Sequence, residues 1–157
     1  MHDEQNFDRR SILTGTGVAA LAALSAHGSA AAAELTEAEA ANAKIVTDFC
    51  AAWSTLNLRN VTALMSDDTV YRMTETTPPV TGHQALIDQM QPWVDTSDAI
   101  TFEIKETFAK GPLVINHRVD RFESTTRPLT WEGVGVFLVQ DGRIKEWFDY
   151  TIAVDRG

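Results

Sequence analysis

Residues 113–122 read LVINHRVDRF, an alternating run rich in β-branched residues that is typical of a β-strand. Side chains in a strand alternate between two faces, so Arg118 and Asp120 share a face, flanked there by Val114 and Phe122. These two charged residues lie roughly 6–7 Å apart along the backbone, close enough for the guanidinium to reach the carboxylate. An ion pair on a solvent-facing sheet is common and contributes little, so alternation alone leaves a surface pair and a functional pair both open.

The sequence around this strand predicts helices first and strands afterwards. Capping boxes at 36–39 and 81–84 each indicate the start of a helix. The other predicted elements are a short helix at 61–65 and strands at 69–76, 100–109, 113–123, 127–140 and 143–152. This order predicts an α+β fold, in which a strongly bent, mainly antiparallel sheet packs with the N-terminal helices and encloses a pocket.

The last predicted strand carries an acidic residue among aromatic ones. Residues 146–151 read EWFDYT, with Asp149 in third place from the end. In a central strand this carboxylate must be paired, hydrogen-bonded or protonated, whereas at an edge it can face water. The sequence alone leaves both interpretations open.

Four further residues are candidate pocket walls on strand parity and aromatic content: Met73, Met90, Phe122 and Trp131. A simple core position is the alternative for each of them. The sheet face on which Trp131 lies depends on the type of the Asp141-Gly142 turn. A plain two-residue hairpin places Trp131 opposite the face of Asp149, whereas a three-residue turn with a glycine bulge places both on one face.

Residues 1–33 have the pattern of an export signal. Arg9-Arg10 precede an apolar, small-residue run that is too short to span a bilayer, and Ala-rich sequence follows as far as position 33. The paired arginines resemble the twin-arginine address of bacterial export. We therefore expect a periplasmic or secreted protein with no membrane anchor after cleavage, and one domain at 34–157. A disordered Ala-rich tail is the alternative.

Composition restricts the classes of partner and site. The formal net charge of −9 argues against a nucleic-acid partner, which requires clustered cations. Cys50 is the single cysteine, so no intrachain disulfide can form, and its apolar neighbours favour a core position. Beyond residue 33 the two histidines, His83 and His117, lie in no metal-ligand pattern, so we expect no metal site.

Three motifs resemble those of the limonene-1,2-epoxide hydrolase family: Arg118-Val119-Asp120, Asp141-Gly142-Arg143-Ile144 and Trp147-Phe148-Asp149-Tyr150. The stretch at 133–137 also resembles the penultimate strand of that family. The resemblance covers most of residues 34–151, and the Arg-x-Asp motif with the late aspartate is its more specific part. It implies the cone-shaped SnoaL-like fold shared with nuclear transport factor 2 and ketosteroid isomerase.

By this resemblance Asp149 is a general base that takes a proton from water, and Asp120 is a general acid that protonates an epoxide oxygen. Arg118 bridges the two carboxylates. The resemblance implies a homodimer. An apolar pocket suits a small apolar substrate, and acid–base opening of an epoxide needs no cofactor. Two buried carboxylates beside one arginine retain one proton between them, which supplies an acid and a base side by side.

The resemblance also identifies Tyr71 as a residue that helps to hold the attacking water. The asparagine that assists it in the family is replaced here by Met73, whose thioether is a poor hydrogen-bonding group. Thr74 and Asn116 are the polar residues that could take its place, and a changed reaction is the other possibility.

Three functions are therefore compatible with the sequence. The first is a cofactor-independent hydrolase that opens an epoxide to a vicinal diol, favoured by Arg118 between two acids. The second is a proton-shuttling isomerase or cyclase of the ketosteroid isomerase type, favoured by Met73, with one aspartate as base and Tyr71 or a protonated aspartate as hydrogen-bond donor. The third is a non-catalytic module that binds a small ligand.

Overall fold

A computed structural model describes residues 34–157, so the predicted export signal at 1–33 lies outside the described residues and stays a prediction. The helices are α1 (Glu37–Ala52), α2 (Leu58–Thr62) and α3 (His83–Asp95), with a 3-10 turn at Trp53–Thr55. The strands are β1 (Met65–Arg72), β2 (Val80–Thr81), β3 (Ala99–Lys110), β4 (Leu113–Glu123), β5 (Leu129–Gln140) and β6 (Arg143–Asp155).

The strands form one mixed sheet in the order β2-β1-β6-β5-β4-β3. All neighbours are antiparallel except β1 and β6, which run parallel. Within the described residues the sheet does not close into a barrel, because β2 and β3 remain its edges. The predicted α+β fold is confirmed, and β6, which carries Asp149, is an interior strand.

Two bulges in β6 decide which of its side chains face the helices. The Asp141-Gly142 turn is a plain two-residue hairpin, with Gln140 opposite Arg143. The register then shifts because Lys145 and Ile152 are extra residues in β6. The first shift brings Asp149 opposite Gly135, which lies on the same face of β5 as Trp131. The two sequence alternatives for Trp131 are thus resolved by a bulge beyond the turn.

Some predicted boundaries are wrong. The capping box at Thr36 forms, because its hydroxyl accepts from the Glu39 amide at 3.2 Å. The second predicted capping box does not form, since Thr81 pairs in β2 and Gly82, with a φ of 86°, precedes α3 instead. The short helix lies at Leu58–Thr62 rather than 61–65, because the Asn57 side chain caps the Arg59 amide. The first strand accordingly begins earlier, at Met65.

The core lies between the helices and one face of the sheet, and aromatic rings form its centre. Phe49 of α1 packs edge-on against Trp147 of β6, with 4.8 Å between ring centroids. Trp53 stacks on Phe102 at 4.8 Å. Cys50 is buried in the same cluster, as predicted, and burial raises the pKa of its thiol to about 12. Residues Leu35–Gly157 form one compact unit around this core.

Candidate active site

A cavity of about 120 Å³ opens between the sheet and α3. Its lining is mainly apolar and aromatic, with two carboxylates: Tyr71, Met73, Thr74, Met90, Trp93, Phe102, Asp120, Phe122, Leu129, Trp131, Trp147, Asp149, Val154 and Arg156. An apolar concavity with few polar groups is typical of a small-molecule site. All four residues predicted as pocket walls line it.

Arg118 joins the two carboxylates from behind the cavity. Its Nε donates to both oxygens of Asp120 at 3.0 and 3.1 Å, and its Nη2 donates to both oxygens of Asp149 at 2.8 and 2.9 Å. Arg118 is 0% exposed, Asp120 is 4% exposed and Asp149 is 5% exposed. Arg118 and Asp120 are thus a buried pair rather than a surface pair, as strand parity permitted. The geometry brings together the three groups that the sequence singled out.

The remaining face of the guanidinium is also occupied. Nη1 of Arg118 donates to Asn116 Oδ1 at 3.0 Å, and the Asn116 amide nitrogen contacts Cys50 Sγ at 3.5 Å. Rings of Trp131 and Phe102 lie 5.0 and 5.2 Å from the guanidinium carbon. Because the fork is held on every side, the positions of both carboxylates are fixed.

Gly135 of β5 makes room for this fork. A Cβ atom at Gly135 would lie 2.0 Å from Arg118 Nη1 and 2.8 Å from Asn116 Oδ1. Both atoms belong to side chains that are fully buried and hydrogen-bonded to each other. The absence of a side chain at position 135 therefore has a steric reason, which the strand pattern alone does not reveal.

We predict that Gly135→Ala lowers the free energy of unfolding by about 1–3 kcal/mol, because the added methyl group overpacks the buried ion cluster. Urea unfolding measures the change. Val136→Thr, one position along on the other face of β5, is the matched control and is expected to have a small effect because that side chain is only half-buried. Equal losses in the two variants would contradict this explanation.

Burial and charge oppose each other at the three ionisable groups. Burial raises the pKa of Asp120 to about 7, with a further contribution from Asp149 and an opposing one from Arg118. Burial also raises the pKa of Asp149, while Arg118 and the Trp147 indole lower it. Burial lowers the pKa of Arg118, but the two carboxylates outweigh it, so the pKa lies above its ordinary value and the guanidinium stays charged.

The hydrogen bonds determine which carboxyl group retains a proton. Asp149 accepts from Arg118 Nη2 and also from Trp147 Nε1, the latter at 2.7 Å. Within residues 34–157, Asp120 accepts only from Arg118 Nε. More donors stabilise the ionised form. Near neutral pH the pair is therefore best described as a carboxylate at Asp149 and a carboxylic acid at Asp120.

Comparison with known protein families matches residues 46–147 to the SnoaL-like domain. The chain belongs to the SnoaL-like family. No curated protein matches it significantly.

Solved structures similar to this SnoaL-like protein include an LEH-like epoxide hydrolase from M. tuberculosis, which is 27% identical, with a TM-score of 0.59 over 73% of this chain and 84% of that chain. A Catenulispora acidiphila protein with a ketosteroid isomerase-like fold is 18% identical, with a TM-score of 0.60 over 68% and 84%. A Jannaschia protein named as a SnoaL-like polyketide cyclase is 12% identical, with a TM-score of 0.64 over 75% and 90%. The last two likenesses show the fold alone.

The SnoaL-like cavity places the predicted water-binding residues in different surroundings. Tyr71 lines it, but its hydroxyl group donates to Met90 Sδ at 3.5 Å and forms no hydrogen bond with Asp120 or Asp149 in the described part of the chain. Thr74 also lines the cavity and shares a hydrogen bond of 2.7 Å with Thr77. Asn116 does not line it, because its amide is committed to Arg118 and Cys50. Of the two proposed substitutes for the missing asparagine, only Thr74 is therefore on the cavity side.

The sequence analysis named Asn116 only as a possible water-binding residue, and it did not predict that Asn116, Trp147 and Gly135 hold this SnoaL-like site in place. Asn116 and Trp147 each lie two positions before a site residue on the same strand face, so parity could have identified both as neighbours. Gly135 gave no such signal, because its contact depends on the register between strands. Within the described residues, no cluster of metal-ligand side chains and no helix long and apolar enough to cross a membrane is present.

Proposed function

We propose that this protein is a hydrolase that opens the epoxide of a small, mainly apolar molecule by attack of water and yields a vicinal diol. The observation that carries the proposal is the buried Asp120–Arg118–Asp149 bridge, which presents an acid and a base to one apolar cavity. The 27% identity to an LEH-like epoxide hydrolase supports it.

In the proposed step, Asp149 accepts a proton from water while the water oxygen attacks one epoxide carbon. The bond from that carbon to the ring oxygen breaks, and Asp120 gives its proton to the departing oxygen. The product is a neutral diol, and transfer of one proton from Asp149 back to Asp120 restores the starting state. Acid and base each contribute about 10²–10⁴-fold when they are positioned in this way.

Arg118 contributes electrostatics and geometry rather than a proton. Its positive charge compensates the carboxylate that remains throughout the cycle, since the total charge of the three groups is unchanged by the reaction. It also holds Asp120 and Asp149 at fixed positions on neighbouring parts of the cavity wall. The water is expected to lie near Asp149, with the Thr74 hydroxyl as its second partner in place of the family asparagine.

The test is incubation with styrene oxide and limonene oxide in water labelled with heavy oxygen, followed by mass spectrometry of the products. We expect one labelled oxygen in each diol molecule, and heat-denatured protein serves as the control. If the native protein turns over no epoxide in a broad panel, the proposed hydrolase function is wrong.

A second candidate is a proton-shuttling isomerase or cyclase, and Met73 at the cavity wall favours it. Without the family asparagine the cavity holds a water less firmly, whereas the acid–base pair can still move a proton within one substrate molecule. This function predicts exchange of a substrate C–H for deuterium from solvent, with no incorporation of solvent oxygen. The labelled-water experiment therefore distinguishes the two candidates. A non-catalytic binding module predicts neither deuterium exchange nor incorporation of solvent oxygen.

A further inference from the structure

The cavity has a buried end and an exposed end. Asp120, Asp149 and Trp147 at one end are almost fully buried. At the other end, Val154 is 44% exposed and Arg156 is also exposed. This difference in solvent exposure places the mouth of the cavity where the end of β6 passes the start of β5, next to α3.

Two arginines lie at this mouth. Arg156 is a cavity-lining residue, and Gly157 after it packs against Pro128, so the last residues of the chain lie beside the segment that leads into β5. Arg127 comes directly before Pro128, and its guanidinium carbon lies 3.9 Å from the ring centroid of Trp93, another lining residue. Arg156 therefore borders the opening directly, and Arg127 lies next to it through its contact with Trp93. The two arginines come close in space because the start of β5 lies beside the end of β6.

Neither of these arginines has a carboxylate partner within residues 34–157. Lys44, Lys105, Lys110 and Lys145 each form an ion pair with an acidic side chain there. Arg59, Arg72 and Arg143 also have no carboxylate partner among these residues, so what distinguishes Arg127 and Arg156 is their position at the mouth of an apolar cavity. Arginine is the side chain best suited to binding a carboxylate, because its planar fork matches two oxygens.

We propose that Arg127 and Arg156 form an anion-binding subsite that takes the carboxylate of an amphipathic substrate. This inference deepens the proposed function and rests on it for the reacting group. Trp131 lies opposite Asp120 in the sheet, and Leu129 at the mouth is two residues further along β5, roughly 7 Å away. A hydrocarbon chain suits the apolar lining between Arg156 and the acid–base pair, so the substrate class that we propose is a medium-chain carboxylic acid with an epoxide away from the acid group.

Isothermal calorimetry with octanoate and octanol tests the subsite independently of turnover, because neither ligand contains an epoxide. At neutral pH we expect octanoate to bind about five- to tenfold more tightly than octanol, as a partly exposed, charge-assisted contact allows. The ratio should fall as salt is added, because exposed charges are screened.

Variants define the source of the preference. The double variant Arg127→Gln/Arg156→Gln is expected to bind both ligands equally. Arg59→Gln, an exposed arginine of α2 outside the cavity lining, changes the net charge by one unit and is expected to keep the preference. Equal affinity in the wild-type protein, no binding of either ligand, or a preference that survives the double substitution would each overturn the subsite.

Turnover separates this inference from the proposed function. An epoxy fatty acid of medium chain length and its methyl ester should differ in KM in the wild-type protein and not in the double variant. If octanoate is preferred but no epoxide is opened, the hydrolase proposal fails and the subsite stands. If epoxides are opened without any preference for the free acid, the subsite alone fails.

Discussion

Asp149→Asn is expected to reduce kcat/KM for epoxide opening by about 10²–10⁴-fold, because an amide does not accept the proton of the attacking water. The change has a second effect on Asp120. Asp149 raises the pKa of Asp120, and Arg118 lowers it. Without the second carboxylate, Arg118 is balanced by Asp120 alone, so Asp120 loses its proton at neutral pH and no longer serves as an acid.

The pH dependence of the wild-type protein and of two variants provides the measurement. In the wild type, kcat/KM should fall as the pH rises above about 7, where Asp120 ionises. Asp141→Asn is the control, since Asp141 is exposed in the β5–β6 turn and its φ of 51° is one that asparagine readily adopts. Activity that is nearly unchanged in Asp149→Asn would show that this carboxylate is not the base.

The second large effect is on stability. Arg118→Met is expected to lower the free energy of unfolding by about 3–5 kcal/mol at slightly alkaline pH, because it leaves two buried carboxyl groups without their cation. The pKa values of both groups are already raised by burial, and loss of Arg118 raises them further. A carboxyl group whose pKa is higher in the folded state loses stabilising free energy as the pH rises through that value. The penalty should therefore shrink as the pH is lowered and both carboxyl groups become neutral in the folded variant.

Arg121→Met is the matched control for this experiment. Arg121 lies on the same strand but on the opposite face, where it forms a half-exposed ion pair with Glu103. Its loss should cost only about 0–1 kcal/mol at any pH. Urea unfolding at mildly acidic and mildly alkaline pH measures both variants. Equal losses in the two variants, or a loss in Arg118→Met that does not change with pH, would contradict the buried-cluster interpretation.

Most of the architecture could be predicted because the periodic signals are local. The alternation in β4 predicted that Arg118 and Asp120 share one face, and the capping box at Thr36 identified the start of α1. The capping box expected at Thr81 was wrong because pairing with β1 takes that residue into β2. Such competition between a local cap and a strand partner depends on residues that are far away in sequence.

The site could be predicted only in part for a related reason. Strand parity on β4 brings Arg118 close to Asp120, but the contact of Arg118 with Asp149 requires the register of three strands. That register depends on the extra residue at Lys145, for which the sequence carries no turn signal. The space that Gly135 leaves for the guanidinium depends on the register between β4 and β5, which the sequence does not show either.

The extra residues in β6 also bear on how relatives of this chain should be aligned. Deleting Lys145 would turn every later side chain of the strand, Asp149 included, to the opposite side of the sheet. A homologue without this insertion must carry its acidic residue one step away in linear order to keep it at the same point in space. Gaps in this strand are therefore better assigned from three-dimensional superposition than from matching letters, and a missing aspartate in an ungapped comparison is no sign of lost chemistry.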